Sequence, residues 1–222
     1  MTKCVKMGIS ASYEQRKGFK IMPQPTFLNL SEEKKQTIDT ILLNTFYDQP
    51  ISQVKVAEIV TQMKMSRGAF YKYFEDLEDA YTYIINKYAV SVHQDIIRYI
   101  QSDRNQFFIG IEKYLIWCSQ LDHDSEYWKS LHLLTKSNDL SAYKRFPLSE
   151  DSPLITQWTD ILVASHIIIE DHEEAVSFLF FIMELVMNSL TGYIANDWTT
   201  EALIKDYRFR VKWMTQGLIH SN

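Results

Sequence analysis

Glycine and proline are scarce in this 222-residue chain, at 6 and 5 residues. So few turn formers exclude a protein built of many short strands, because each hairpin draws on residues suited to unusual or fixed φ. Cysteine is scarcer still, with Cys4 and Cys118 the whole complement. Two thiols make no disulfide framework, and they suit a reducing, cytoplasmic setting. The longest apolar runs, Val176 to Val186 and Ile161 to Ile169, are short and interrupted by polar residues, so no membrane span is expected. The first residues mix Lys3, Lys6, Glu14, Arg16, Lys17 and Lys20 with no apolar signal-peptide core. Catalytic signatures are absent as well. There is no glycine-rich phosphate loop, HExxH, CxxC or GxSxG. Acid pairs such as Glu173-Glu174 read as a solvated helix face, and no enzymatic activity is expected.

What is present is the balance of a folded protein, with 46% apolar and 23% charged residues. The net charge of −5 conceals a split. Residues 1–75 hold 11 Lys and Arg against 7 Asp and Glu, whereas residues 76–222 hold 12 against 21. A basic front on an acidic body fits a small DNA-reading head carried by a regulatory body.

The periodicity is helical throughout. Residues 1–30 lack a period and read as a flexible arm, with Met22 a plausible alternative start. Ser31 is placed to cap a first helix, with Glu32 and Glu33 in the turn where the helix dipole favours negative charge. Ile38, Ile41, Leu42, Thr45 and Phe46 then give that helix one apolar face, and Asp48-Gln49-Pro50 ends it. A short helix over Val54 to Met63 follows, then a turn at Lys64-Met65, then a segment capped by Ser66. Asp76 caps a long helix reaching about Ser102, along which Ala80, Ile84, Tyr88, Val92 and Ile96 form a stripe. Further helices are expected over Gln106 to Ser119, Ser125 to Thr135, Leu154 to Ile169, from the Asp171 cap to Ala195, and from Thr199 or Thr200 onward. Ser137 to Ser152 is the best internal loop. The fold class is all-α. The domains are the arm (1–30), a helix-turn-helix head (31–76), and a helical regulatory and dimerisation body (77–222).

A helix followed by two short helices and a tight turn is the helix-turn-helix plan, whose second short helix enters the major groove. Phe70 and Phe74, four apart, face the core. The opposite face offers Ser66, Arg67, Tyr71 and Lys72, with Tyr73 at its edge. Arg67 and Lys72 can neutralise phosphates or reach guanine edges, Ser66 and Tyr71 can donate to phosphate, and Gly68 lets the backbone come close. Ser66-Arg67-Gly68-Ala69-Phe70-Tyr71-Lys72-Tyr73-Phe74 resembles the recognition-helix signature of the TetR family of bacterial repressors. Val56-Ala57-Glu58-Ile59-Val60 matches that family's preceding helix, and Phe46 the Phe closing its first. Four positions depart from the pattern. Lys64 stands where the family usually has Gly, Lys55 where a capping Thr is common, Ala69 replaces a frequent base-contacting Thr, and Leu77 a common phosphate-binding Lys. The resemblance implies DNA contacts from Lys55, Ser66, Arg67, Gly68, Ala69, Tyr71, Lys72 and Tyr73. It also implies a homodimer on a palindromic operator, released by a small effector, with the last two helices forming the dimer bundle.

The effector is expected to be apolar or aromatic, in a pocket drawn from His93, Phe108, Tyr114, Trp117, Trp128 and His166. No metal and no certain cofactor are expected. The region Arg67 to Tyr81 is also similar to haem-sensing TetR repressors of haem efflux in lactic-acid bacteria. That similarity implies His93 as an axial ligand to haem iron, with His166 the choice for the second. An alternative of another class is a TetR-like interaction protein that acts through a protein partner without binding DNA.

Overall fold

The computed structural model describes residues 23–103, 106–136 and 152–217. The expected arm residues 1–22 and most of the expected 137–152 loop lie outside these. Among the described residues there are ten α-helices and no strand. They are α1 (Pro25–Leu28), α2 (Glu32–Asp48), α3 (Val56–Gln62), α4 (Arg67–Phe70), α5 (Leu77–Ser102), α6 (Phe107–Ser119), α7 (Glu126–Lys136), α8 (Pro153–Ala164), α9 (His172–Ala195) and α10 (Thr200–Gln216). A 3-10 turn at Ile51–Gln53 leads into α3.

Helix starts follow side-chain chemistry. Ser31, Ser66, Asp76, Asp171 and Thr199 each accept a bond from the backbone N–H three residues on, satisfying one otherwise orphaned donor. Helix ends show how the chain manages with little glycine. At α3, α8 and α9 the residue after the C-cap takes a left-handed backbone: Lys64 (φ 52°), His166 (φ 56°) and Asp197 (φ 47°). In each case the next N–H reaches back to the third-last carbonyl of the helix: Met65 to Val60 (3.0 Å), Ile167 to Leu162 (3.0 Å) and Trp198 to Tyr193 (3.1 Å). This is the glycine-type helix stop without the glycine. It ends α8 at Ala164, five residues earlier than the apolar run to Ile169 suggests. Ile168, in the connection to α9, is 90% exposed.

Two hydrophobic clusters share α5. Ala80, Ile84, Ile85 and Tyr88 join Leu42, Phe46, Ile59, Phe70 and Phe74 in the head. Val92, Ile96, Ile97 and Ile100 join residues of α6 to α10 in the body. Leu133 of α7 is buried in the head cluster, which ties the body to α2. Helix α9, by length and composition alone, could cross a membrane, contrary to the impression its broken runs give. Its Ile182, Val186 and Leu190 are buried in the body core.

Residues 23–30, grouped with the arm from sequence, are built into the head instead. Pro25 opens α1, and Phe27 is 1% exposed, with its ring 5.9 Å from Tyr73, 5.1 Å from Phe74 and 5.0 Å from Tyr83.

Helices α5 and α6 meet at Gly110. A Cβ there would lie 2.6 Å from Ile100 Cα and 2.7 Å from Tyr99 O, both backbone atoms that cannot swing aside. Gly110→Ala is therefore expected to destabilise the protein by about 1–3 kcal/mol through overpacking. Gly68→Ala, whose Cβ meets nothing nearer than 3.9 Å, is expected to be neutral or to stabilise by about 0.5–1 kcal/mol, as alanine is the better helix former. Urea denaturation of the two variants beside the parent separates these outcomes.

Candidate nucleic-acid interface

The helix-turn-helix is α3, the turn at Lys64 and Met65, and α4. Lys55 is the N-cap of α3 in extended backbone, and its side chain makes no capping bond. Ser66 accepts from Ala69 N at 3.2 Å and so fixes the start of α4. Only Arg67–Phe70 are α-helical, and Tyr71 to Tyr73 continue as turns whose N–H groups bond to Arg67, Ala69 and Phe70 carbonyls. Phe70 and Phe74 are fully buried against α2 and α5. That anchoring leaves Ser66, Arg67, Gly68, Tyr71 and Lys72 on the outer face, with Ala69 half-buried. The Tyr71 ring is 51% exposed and packs edge-on against Phe70 at 5.5 Å.

Tyr73 does not belong to that face. It is buried, with Phe27 on one side and the Lys34 ammonium 5.9 Å from its ring centroid, and its carbonyl accepts from Gln24 N at 2.9 Å. Its assignment as a DNA contact is corrected on these grounds. Sequence reasoning missed the wedge that removes it. The available signal was Pro25, a residue favoured at the first turn of a helix, two positions ahead of an unassigned aromatic.

A second feature missed from sequence is a polar joint between α2 and α5. The buried Asp39 carboxylate accepts from Tyr83 OH at 2.8 Å and pairs with the Lys87 ammonium. Burial, then the Asp39 charge, pushes the Tyr83 hydroxyl well above the ordinary tyrosine range, so it stays a donor. The only sequence trace of this joint is an aspartate beside Ile38 on an otherwise apolar face. A third contact set joins α2 to α7. Lys129 Nζ donates to Asn44 Oδ1 at 3.1 Å and sits 5.8 Å from the Tyr47 ring, and Tyr47 meets the His132 ring edge-on at 5.0 Å. Tyr88 of α5 donates to Glu126 Oε1 of α7 at 2.7 Å.

The expected pocket residues differ in their burial. Tyr114 and Trp128 are buried in the core, while Phe108 and Trp117 are half-buried. Tyr114 and Tyr127 share a hydroxyl bond of 3.0 Å, and Trp117 stands edge-on to Tyr127 at 4.7 Å. Trp128 stacks flat on His123 at 4.1 Å. Two surface clefts stand out among the described residues, and neither is lined by any of these six residues. One, of about 450 Å³, lies between α8 and α9 over Ile155, Leu162, Ile167 and Ile169, with His172 on its wall. The other, of about 470 Å³, lies between α6 and α10 beside Ile116, Ile204 and Phe209. His93 is half-buried on α5, and desolvation lowers its pKa to about 4, so its imidazole is neutral. His166 is exposed, not set in an apolar interior as expected, because the left-handed end of α8 turns the chain outward there. Among the described residues no group of three or more His, Cys, Asp or Glu could hold a metal ion.

With this geometry in place, comparison with known proteins decides the family. A family profile described as "Tetracyclin repressor-like, C-terminal domain" matches residues 106–218, more than half of the chain. The chain belongs to the TetR family. The TetR fold is also found in solved structures. A TetR-family transcriptional regulator from Pectobacterium atrosepticum is 12% identical with a TM-score of 0.52, covering 86% of this chain and 98% of its own. The reduced form of Escherichia coli NemR is 16% identical with a TM-score of 0.51, covering 82% and 97%. At such identities the likeness is one of fold. No curated protein matches the chain. The TetR profile covers the body from α6 onward, and α5 with the helix-turn-helix ahead of it completes the architecture of a TetR-type transcriptional regulator.

Two half-buried histidines give a pH dependence. His93 has its pKa depressed by burial, and His132 by burial and then by Lys136 and His123. The folded state therefore binds fewer protons than the unfolded one over this range. The contribution of His93 is full above about pH 6.5 and is lost as pH falls towards 4, and that of His132 is lost in the same direction. Replacing His93 by Gln is expected to flatten this acid limb by on the order of 2 kcal/mol, read as the difference between urea midpoints of variant and parent at pH 7 and pH 4.5.

Proposed function

We propose that this protein is a ligand-responsive repressor that binds a palindromic operator as a homodimer and is released by a small apolar or aromatic effector. The observation that carries this reading is the outer face of α4. Ser66, Arg67, Gly68, Tyr71 and Lys72 stand exposed on a segment held rigid by Phe70 and Phe74. Neither Arg67 nor Lys72 is engaged in an ion pair with any described residue, so both charges are available to phosphate or base edges.

Dimerisation is supported by apolar surface on α9 and α10. Phe181, Phe209 and Trp213 are each 43–49% exposed, and Phe209 stacks on Trp213 at 6.4 Å. Such a stripe on two neighbouring helices is what a second copy of the same pair would cover. Effector binding in the body favours one arrangement of α7 against α2, and the head follows through the Lys129–Asn44 and His132–Tyr47 contacts. By linkage, operator DNA weakens effector binding by the same factor. The haem alternative is not supported by the histidines. An exposed His166 at a helix end does not pair with a half-buried His93 to enclose an iron.

The test is binding of the DNA upstream of its own gene, followed by fluorescence anisotropy at 50 to 200 mM salt. The parent is expected to bind with a steep salt dependence. Arg67→Ala and Lys72→Ala each lower the log–log slope by about 0.9 per subunit if the contact is to phosphate. A contact to a base edge instead loses about 1–3 kcal/mol of discrimination. A protein that fails to bind at low salt acts through a protein partner instead. A second measurement, sedimentation of a Phe209→Glu, Trp213→Glu variant, is expected to convert a dimer to a monomer.

A further inference from the structure

We propose that Lys64, in the turn of the helix-turn-helix, is an additional phosphate contact that extends the DNA footprint beyond the α4 face. The inference rests on the DNA-binding reading above and adds a residue to it.

Among the described residues, three helices end on a left-handed residue that is not glycine. Aspartate and histidine, at 197 and 166, are among the side chains enriched in this backbone; lysine, at 64, is not. A lysine at φ 52° carries a steric cost that glycine would remove without changing the path of the turn. The backbone alone therefore gives no reason for lysine, and the side chain must supply one. Its surroundings narrow the choice. Met63 and Met65 on either side pack into the head core, whereas Lys64 between them is exposed. Two residues later Ser66 caps α4, so Lys64 stands just ahead of the reading segment.

The distribution of cations in the head points the same way. Lys34 lies over the Tyr73 ring, Lys35 pairs with Glu32 at 3.1 Å, and Lys87 pairs with Asp39. Lys55, Lys64, Arg67 and Lys72 have no ion-pair partner among the described residues. Of the head cations without an ion pair, only Lys34, over its ring on α2, lies elsewhere; the other four line the segment from the start of α3 through α4, with Lys55 and Lys64 bracketing α3 at its two ends. An array of exposed, unpaired cations along one element is the footprint of a polyanion backbone.

The test needs no operator, because phosphate contacts also act on arbitrary sequence. A fluorescein-labelled 40-base-pair duplex of mixed sequence is titrated with the full chain between 25 and 200 mM KCl. Lys64→Gly keeps the turn and is expected to lower the log–log salt slope by about 0.9 per subunit, while its melting temperature stays level or rises. Lys64→Arg is expected to keep the parent slope. A Lys64→Gly slope equal to the parent's, beside reduced slopes for Arg67→Ala and Lys72→Ala, overturns the role of Lys64 alone. A parent without salt-dependent binding overturns it together with the DNA-binding reading.

Discussion

Helix α5 runs from Leu77 to Ser102 and gives its first half to the core of the head and its second half to the core of the body. Neither core can be assembled without it. Asp76 fixes where the helix starts, Phe74 and Phe27 lock the head onto its first turns, and Gly110 sets how closely α6 lies against its far end. A connector of this kind is stiff because its backbone bonds are internal, so a displacement at one end arrives at the other with little loss. The remaining contacts between head and body, from α7 to α2, restrain the same joint from the side.

Much of this arrangement was legible in the sequence. The caps at Ser31, Ser66, Asp76, Asp171 and Thr199 are local devices, each a short polar side chain three residues ahead of the N–H it satisfies, and a linear reading finds them. The Phe70 and Phe74 pair is equally local, and with it came the exposed face of Arg67, Tyr71 and Lys72. Lys64 announced itself by standing where the family usually has glycine, and its backbone is left-handed.

What stayed hidden is tertiary. Tyr73 has the composition of a surface residue and is buried only because Phe27, 46 positions earlier, comes back to cover it. Asp39 reads as an intrusion on an apolar face until Tyr83 and Lys87 arrive from α5 to satisfy it. The aromatic body residues resisted assignment for the reverse reason. Phe108, Tyr114, Trp117 and Trp128 are the right chemistry for a pocket and for a core alike, and only packing distinguishes the two. His166 was misplaced because an apolar run cannot show where its helix stops; the Schellman bonds of Ile167 and His166 decide that, and they depend on a left-handed residue no composition announces.

The close seating of Gly110 on Ile100 and Tyr99 has a mechanical consequence. Two helices whose backbones touch cannot slide past one another without lifting apart, so the body half of α5 and the whole of α6 move as one rigid piece. What bending so stiff a helix undergoes is then confined to the stretch near Tyr88 to Val92, where α5 leaves one core for the other. The arm of α5 from that fulcrum to Leu77 is about 20 Å at 1.5 Å per residue, so a tilt of about 5° there becomes roughly 2 Å at its tip. In a dimer the two tips move in opposite senses and the displacement doubles. That is a sizeable fraction of the major-groove width of about 12 Å, and it has to be taken up where Leu133 of α7 and the Lys129–Asn44 contact meet the head.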